Sequence, residues 1–81
     1  MSSKKTLKQI LSGSKNIRFS EFQNLLESFG FVLDRINGSH HIYKKNGINE
    51  LINIQNVNGQ IKPYQVNQFL KLVEEYQLKM E

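Results

Sequence analysis

The sequence has no cysteine and no tryptophan, a single proline, and no long apolar run. Without cysteine the chain can form neither a disulfide framework nor a thiolate zinc site. No segment approaches the roughly 20 apolar residues that a membrane-spanning helix requires, and residues 1–5 are not followed by the apolar stretch of a signal peptide. We therefore expect a cytoplasmic protein that makes no membrane contact.

The chain is short and basic. Its 81 residues are enough for one compact domain. Lys and Arg number 11 against 7 acidic residues, which gives a net charge of +4 at pH 7. Such an excess favours a polyanionic partner, nucleic acid first, or an acidic protein, although the same excess can also serve solubility alone.

Two amphipathic helices are predicted to enclose the central part of the chain. Ser20 and Gln23 fit a capping box at the start of the first helix, and Gly30 fits its left-handed C-terminal cap. Pro63 suits the first turn of the last helix, where its missing N–H costs nothing. The apolar stripe of the first helix has the spacing i, i+3, i+4, i+7 and consists of Phe22, Leu25, Leu26 and Phe29.

Residues 1–17 are predicted to be an extension ahead of the domain, which then occupies residues 18–81. Leu7, Ile10 and Leu11 have helical spacing, so the extension can contain a short helix. The sequence leaves open whether that helix packs on the domain or frays, because chain termini are ordered only where packing holds them.

Three strands are predicted between the two helices, over residues 31–36, 39–45 and 50–55. Asn37 and Gly38 form the strongest short hairpin signal, since both central residues of a type I′ turn need positive φ. The order helix, three strands, helix predicts a two-layer α+β fold with an antiparallel three-stranded sheet.

The only two histidines, His40 and His41, follow this turn directly. Imidazole is the side chain whose unperturbed pKa, about 6.5, suits proton transfer near neutral pH. A two-residue turn of Asn37 and Gly38 would set Arg35 opposite His40 and Asp34 opposite His41. Alternation then predicts His40 at the rim of the core face, partly buried and next to Arg35, and His41 on the other face.

A partly buried imidazole beside a cation can stay neutral and act as a base, and Arg35 can hold a phosphate through its planar fork. The alternative is that both histidines are ordinary surface residues at a hairpin end. A shared zinc site is disfavoured, because neighbouring strand residues point to opposite faces. We therefore predict no metal.

Other candidate contacts to nucleic acid come from cations and an aromatic ring. Lys44, Lys45 and Lys62 can form a phosphate-binding patch, and Tyr43 can stack on a base. For each of them the alternative is structural: lysines at the ends of elements are often merely solvated, and an aromatic residue in a small domain often belongs to the core.

The combination of Phe29-Gly30-Phe31, the triplet Gly38-Ser39-His40 and Lys62-Pro63 resembles the HicA (YcfA-like) toxin family, over residues 19–78. Members are small mRNA interferases of bacterial toxin-antitoxin pairs. The resemblance implies that His40 is the catalytic histidine and that Gly38 and Ser39 support the catalytic turn.

The resemblance also implies a fold like that of double-stranded-RNA-binding domains and ribonuclease activity on mRNA. It further implies a HicB-like antitoxin that covers the active site, with the toxin a monomer when free and part of a hetero-oligomer when neutralised. RNA carries its own nucleophile, the 2′-hydroxyl, so no cofactor is expected. The alternative function is a non-catalytic RNA-binding or antitoxin-binding module of the same fold.

Overall fold

A computed structural model describes residues 3–81 as three helices and three strands. This confirms the predicted α+β class, with one further helix ahead of the predicted order. Met1 and Ser2, which belong to the predicted extension, lie outside the described residues. The elements are α1 (Ser3–Leu11), α2 (Phe19–Ser28), β1 (Val32–Asn37), β2 (His40–Lys44), β3 (Ile52–Gln55) and α3 (Pro63–Tyr76).

The sheet is antiparallel, with β2 between β1 and β3. Its helix-covered face forms the core together with α2 and α3. At the centre of the core, the ring of Phe69 is met edge-on by Phe22, Phe29 and Phe31, with centroids 5.5, 5.2 and 6.3 Å away. Such edge-to-face contacts are favourable because the positive ring edge meets the negative ring face. The sheet adds three fully buried side chains, Tyr43, Ile52 and Ile54.

The predicted stripe of α2 is confirmed, since all four of its apolar side chains are buried. The capping box was wrong. Arg18 is the N-cap residue, Ser20 lies inside the helix, and Gln23 donates a hydrogen bond to the Tyr43 hydroxyl (3.1 Å). The C-terminus follows the prediction: Gly30 has φ +89°, and the N–H groups of Gly30 and Phe31 donate to carbonyls of the last turn.

Helix α1 packs on α2, which answers the question that the sequence left open. Thr6 and Ile10 of α1 are buried, and Ile17, in the segment that follows α1, is also buried. The Ser3 hydroxyl donates to the Asn24 carbonyl in α2 (3.2 Å). The division of the chain at residue 17 stays a prediction, although the residues before it contribute to the common core.

The turn between β1 and β2 lies one residue later than predicted. Asn37 pairs with His40, so the two turn residues are Gly38 and Ser39. Gly38 has φ +65°, whereas Ser39 does not have positive φ. That combination is expected of a type II′ turn, which needs positive φ only at its first central position. The predicted type I′ turn of Asn37 and Gly38 was therefore wrong.

The new turn changes the cross-strand pairs, so two predicted pairings were wrong. Arg35 lies opposite Ile42 and not opposite His40, and a β-bulge at Asp34 takes that residue out of the register altogether. An extra residue in one strand exchanges the faces of the side chains on either side of it. A pattern that assumed unbroken alternation through β1 therefore assigned the faces of β2 incorrectly.

The helices cover the face of β2 that carries His41 and Tyr43, and not the face that carries His40. The rings of His41 and Phe19 meet edge-on, with their centroids 4.9 Å apart, while His40 is exposed on the opposite face. The predicted position of His40 at the rim of the core was wrong. Because β2 has one apolar residue on each face, Ile42 and Tyr43, its sequence did not reveal which face the helices cover.

Candidate functional site

The face of the sheet that no helix covers, here called the open face, brings together the polar side chains of all three strands. In antiparallel sheets, directly paired residues and residues two apart in one strand share a face. The register therefore places Arg35 of β1 on the open face with His40 and Lys44 of β2. From β3 the same face receives Asn53 and Gln55. Arg35 is a diagonal neighbour of His40.

The imidazole of His40 is oriented by Asn53. The His40 Nδ1 atom lies 3.0 Å from the Asn53 Oδ1 atom. An amide oxygen only accepts hydrogen bonds, so Nδ1 carries the proton in this pair. In the neutral ring, Nε2 then holds the lone pair. Because His40 is exposed, that nitrogen can be reached by a large substrate.

The hairpin turn is tied to the far edge strand by a second hydrogen bond. Gln55 Nε2 donates to the Ser39 hydroxyl oxygen over 2.9 Å. The backbone N–H of Gln55 donates to Oε1 of Gln65, a buried side chain of α3 (3.3 Å). A chain of polar contacts thus joins the turn, the end of β3 and the start of α3 around His40.

Two cations of the open face share one carboxylate. Asp34 forms ion pairs with Arg35 and with Lys44, the latter at 3.3 Å. The hydrogen bond from Lys44, followed by that from Arg35, lowers the pKa of the Asp34 carboxyl below its ordinary value. Asp34 therefore offsets part of the positive charge of the open face, while both cationic side chains stay more than half exposed.

His41 is unsuited to the same role. It packs between Ile36 and Ile54 in the register, and its Nδ1 atom is buried without a hydrogen-bond partner. The two histidines cannot reach one ion, because their side chains leave opposite faces of β2. Within residues 3–81 no group of three or more His, Cys, Asp or Glu side chains is arranged to hold a metal ion.

Two predicted RNA contacts lie elsewhere. Tyr43 is only 1% exposed, and burial raises the pKa of its hydroxyl. The Tyr43 ring belongs to the core and has no exposed face on which a base could stack. Lys45 is largely buried: its Nζ atom donates to the Phe29 carbonyl (2.7 Å) and to the Glu81 carboxylate (2.6 Å). It holds the end of α2 to the end of the chain, away from the open face.

Lys62 is exposed at the start of α3. Its backbone N–H donates to Oε1 of Gln65 (3.5 Å), the atom that also accepts from the Gln55 N–H. Lys62 therefore lies at the same end of the sheet as His40, whereas Lys44 lies at the opposite end of β2.

Sequence reasoning missed Asn53 and Gln55. Both alternate with the buried Ile52 and Ile54, so the half-buried strand pattern was visible. The signal that would have found them is the pairing of β3 with β2, because His40 lies directly opposite Gln55 and diagonal to Asn53. No local pattern in the sequence specifies that pairing.

Comparison with protein families matches residues 19–74 to the family described as "HicA toxin of bacterial toxin-antitoxin". The match covers more than half of the chain. This protein belongs to the HicA toxin family. Comparison with curated proteins gives no match, and comparison with solved structures gives none. The resemblance to double-stranded-RNA-binding domains therefore stays a prediction.

Membership of the HicA family places this chain in toxin-antitoxin systems, with an antitoxin as its partner. The matched segment runs from the first residue of α2 into α3, so it contains the open face and the hairpin turn. Helix α1 precedes it. Within residues 3–81, no helix combines the length and apolar character needed to cross a bilayer.

Proposed function

We propose that this HicA-family toxin is a metal-independent endoribonuclease acting on mRNA, with His40 as its catalytic residue. The observation that carries the proposal is the pairing of His40 with Asn53, which presents an exposed Nε2 lone pair on a face that also carries Arg35. The family match supports the toxin assignment, and the open face supplies the chemistry.

The proposed reaction needs three operations on RNA. His40 Nε2 removes the proton of a 2′-hydroxyl, and the resulting oxygen attacks the adjacent phosphorus. The bond from phosphorus to the 5′-oxygen of the next nucleotide then breaks. Arg35 stabilises the additional negative charge on the phosphate. The imidazolium formed in the first step returns its proton to the departing 5′-oxygen, so one histidine serves as base and then as acid.

The remaining cations on and beside the open face bind the RNA backbone. Lys44 shares the open face with His40, and Lys62 lies at the neighbouring start of α3. Both offer point charges to phosphates without reading sequence. The proposed substrate places the toxin in the cytoplasm, and the proposed neutralising partner is an antitoxin of the HicB type.

The test compares the two histidines, which are adjacent in sequence and lie on opposite faces. Wild-type protein, His40→Ala and His41→Ala are incubated with a long RNA in EDTA, and the loss of intact RNA is followed over time. We expect His40→Ala to lower the cleavage rate by about two to four powers of ten. His41→Ala should retain cleavage where it remains folded.

Far-UV circular dichroism and thermal unfolding establish the fold of each variant. A folded His40→Ala protein that cleaves at the wild-type rate would sink the proposal. Salt-sensitive RNA binding without any cleavage by the wild type would instead identify a non-catalytic RNA-binding module.

A further inference from the structure

Strand β1 is an apolar edge that the protein leaves uncovered. All six of its residues are exposed. Of the six large hydrophobic side chains exposed among residues 3–81, three belong to this strand: Val32, Leu33 and Ile36, at 53%, 42% and 57%. The other three are scattered over α1, the segment before β3 and α3. Edge strands usually carry charge or proline, and a concentration of apolar side chains on one indicates an interaction surface.

The helical layer ends before it reaches β1. Leu33 and Ile36 lie opposite Tyr43 and His41, so their side chains share the helix-covered face. Tyr43 is buried there, whereas Leu33 and Ile36 remain exposed. These two side chains are here called the ledge. They extend the apolar surface of the core beyond the helices, where residues 3–81 do not bury them.

The backbone of β1 is also available for pairing. The hydrogen bond that closes the hairpin turn joins Asn37 and His40. The next pair along the strands, Ile36 and His41, is therefore a non-hydrogen-bonded pair. The N–H and C=O of Ile36 therefore point away from β2, to the side on which no described strand lies. β1 contains no proline, and its one acidic residue, Asp34, is engaged with Arg35 and Lys44.

The net charge of this chain indicates which kind of partner binds this edge. The chain carries a net charge of +4, so a second copy would be repelled while an acidic partner would be attracted. RNA has neither the backbone amides to extend a sheet nor the aliphatic surface to cover the ledge. A β-strand with apolar residues on one face and acidic residues on the other would match both the ledge and Arg35 on the open face.

We propose that β1 is the docking edge for the antitoxin, which adds an antiparallel or parallel strand to it and covers Leu33 and Ile36. The identity of the partner rests on the proposed function, while the pairing geometry does not. A strand at this position lies beside Arg35, a diagonal neighbour of His40. Acidic side chains on it would occupy Arg35 and compete with the RNA phosphate.

The direct test is amide hydrogen exchange of the wild-type toxin, free and bound to its antitoxin, with the two proteins co-expressed and separated before mixing. Strand pairing should slow exchange of the outward Ile36 amide by at least about tenfold, as a new backbone hydrogen bond requires. The amides of Arg35 and Asn37 point to β2 and serve as internal controls. Unchanged exchange at Ile36 in a saturated complex would overturn the proposal.

Variants separate the backbone from the side chain. Ile36→Ala and Ile36→Pro both remove the apolar side chain, but only the proline removes the outward N–H, a change that edge strands tolerate. We expect the dissociation constant measured by calorimetry to rise about tenfold more for Ile36→Pro than for Ile36→Ala. Equal affinities of these two variants would contradict strand addition.

The ledge is tested by charge. Leu33→Glu should weaken antitoxin binding by at least about tenfold, while Leu11→Glu, the same change at an exposed leucine of α1, should not. Equal effects would assign the loss to charge alone and overturn the role of the ledge. Neither residue belongs to the proposed RNA site, so RNA cleavage of these variants stays at the wild-type rate and reports on the proposed function separately.

Sedimentation of the free toxin tests the alternative occupant of this edge, a second copy of the chain. Concentration-dependent dimerisation that Ile36→Pro abolishes would assign the edge to a second copy and refute the acidic partner. If Ile36→Pro fails to fold by circular dichroism, the exchange measurement on the wild-type chain still decides the proposal.

Discussion

His40 and His41 are neighbours in sequence with opposite surroundings. His40 is exposed and bonded to Asn53, while the buried Nδ1 of His41 lacks a partner and its ring lies against Phe19. The sequence singled out this pair and favoured His40 for proton transfer, a role that stays a prediction. The reason it gave was wrong, since partial burial belongs to His41, and what distinguishes His40 is its oriented and accessible ring.

The contact between Asn53 and the His40 ring makes Asn53 the proposed positioning residue, and its removal tests that role. Asn53→Ala should lower kcat for RNA cleavage by about ten- to a hundredfold, because the ring can then rotate and take the other tautomer. Asn67→Ala, at an exposed asparagine of α3, is the matched control and should have no effect.

The pH dependence of cleavage separates positioning from a structural role. Asn53→Asp keeps an acceptor at the same place but adds a negative charge that favours imidazolium. We expect the rising limb of its pH-rate profile to shift to higher pH, so that the cleavage rate recovers as the pH is raised. An Asn53→Asp profile that coincides with the wild-type profile at every pH would contradict the proposed positioning of His40 by Asn53.

At the scale of elements, local rules located the helices well. The apolar stripe of α2 and Gly30 at its C-terminus were predictable, because helix periodicity and the left-handed cap depend on a few consecutive residues. The N-terminus was not, since Gln23 bonds Tyr43 of β2 in place of the predicted cap. The docking of α1 also needed the structure, because its partner surface is on another element.

The contribution of α1 to stability can be measured with two adjacent residues. Ile10 is buried in the common core and Leu11 is 69% exposed. Ile10→Ala should lower the free energy of unfolding by about 2 to 4 kcal/mol, the usual cost of truncating a buried aliphatic side chain. Leu11→Ala should change it by less than about 0.5 kcal/mol. Urea denaturation followed by circular dichroism measures both, and equal values would show that α1 does not pack as described.

For the whole molecule, the decisive property is that the sheet has two unlike faces. One is buried under α2 and α3, and the other presents His40, Arg35 and Lys44 to solvent. The net charge of +4 predicts attraction to a polyanion, but only the fold shows where the positive side chains gather. Lys45 illustrates the difference, because its charge is used in bonds to Phe29 and Glu81 and does not add to the open face.

Asp34 limits the positive charge of the open face, which predicts a gain on its removal. Asp34→Asn frees Arg35 and Lys44 for phosphates, so RNA binding should tighten. The slope of log affinity against log salt should steepen by about 0.7 for each new phosphate contact. Binding is measured in the His40→Ala background to keep the RNA intact. Glu74→Gln, an equal loss of charge on α3, is the control, and an equal response to both changes would show that the effect is not local.

The sequence by itself determined the helices, the three strands, the presence of a tight turn before His40, and the family. Each follows from consecutive residues: periodicity, a glycine with positive φ, or the triplet Gly38-Ser39-His40. Only the tertiary structure decided the register, the bulge at Asp34 and the face on which His40 lies. The physical reason is that Gly38 satisfies the first position of a type II′ turn as well as the second position of a type I′ turn. The choice between the two turn types is therefore made by contacts between residues distant in sequence. These are the contacts of Phe19 with His41 and of Asn53 with His40.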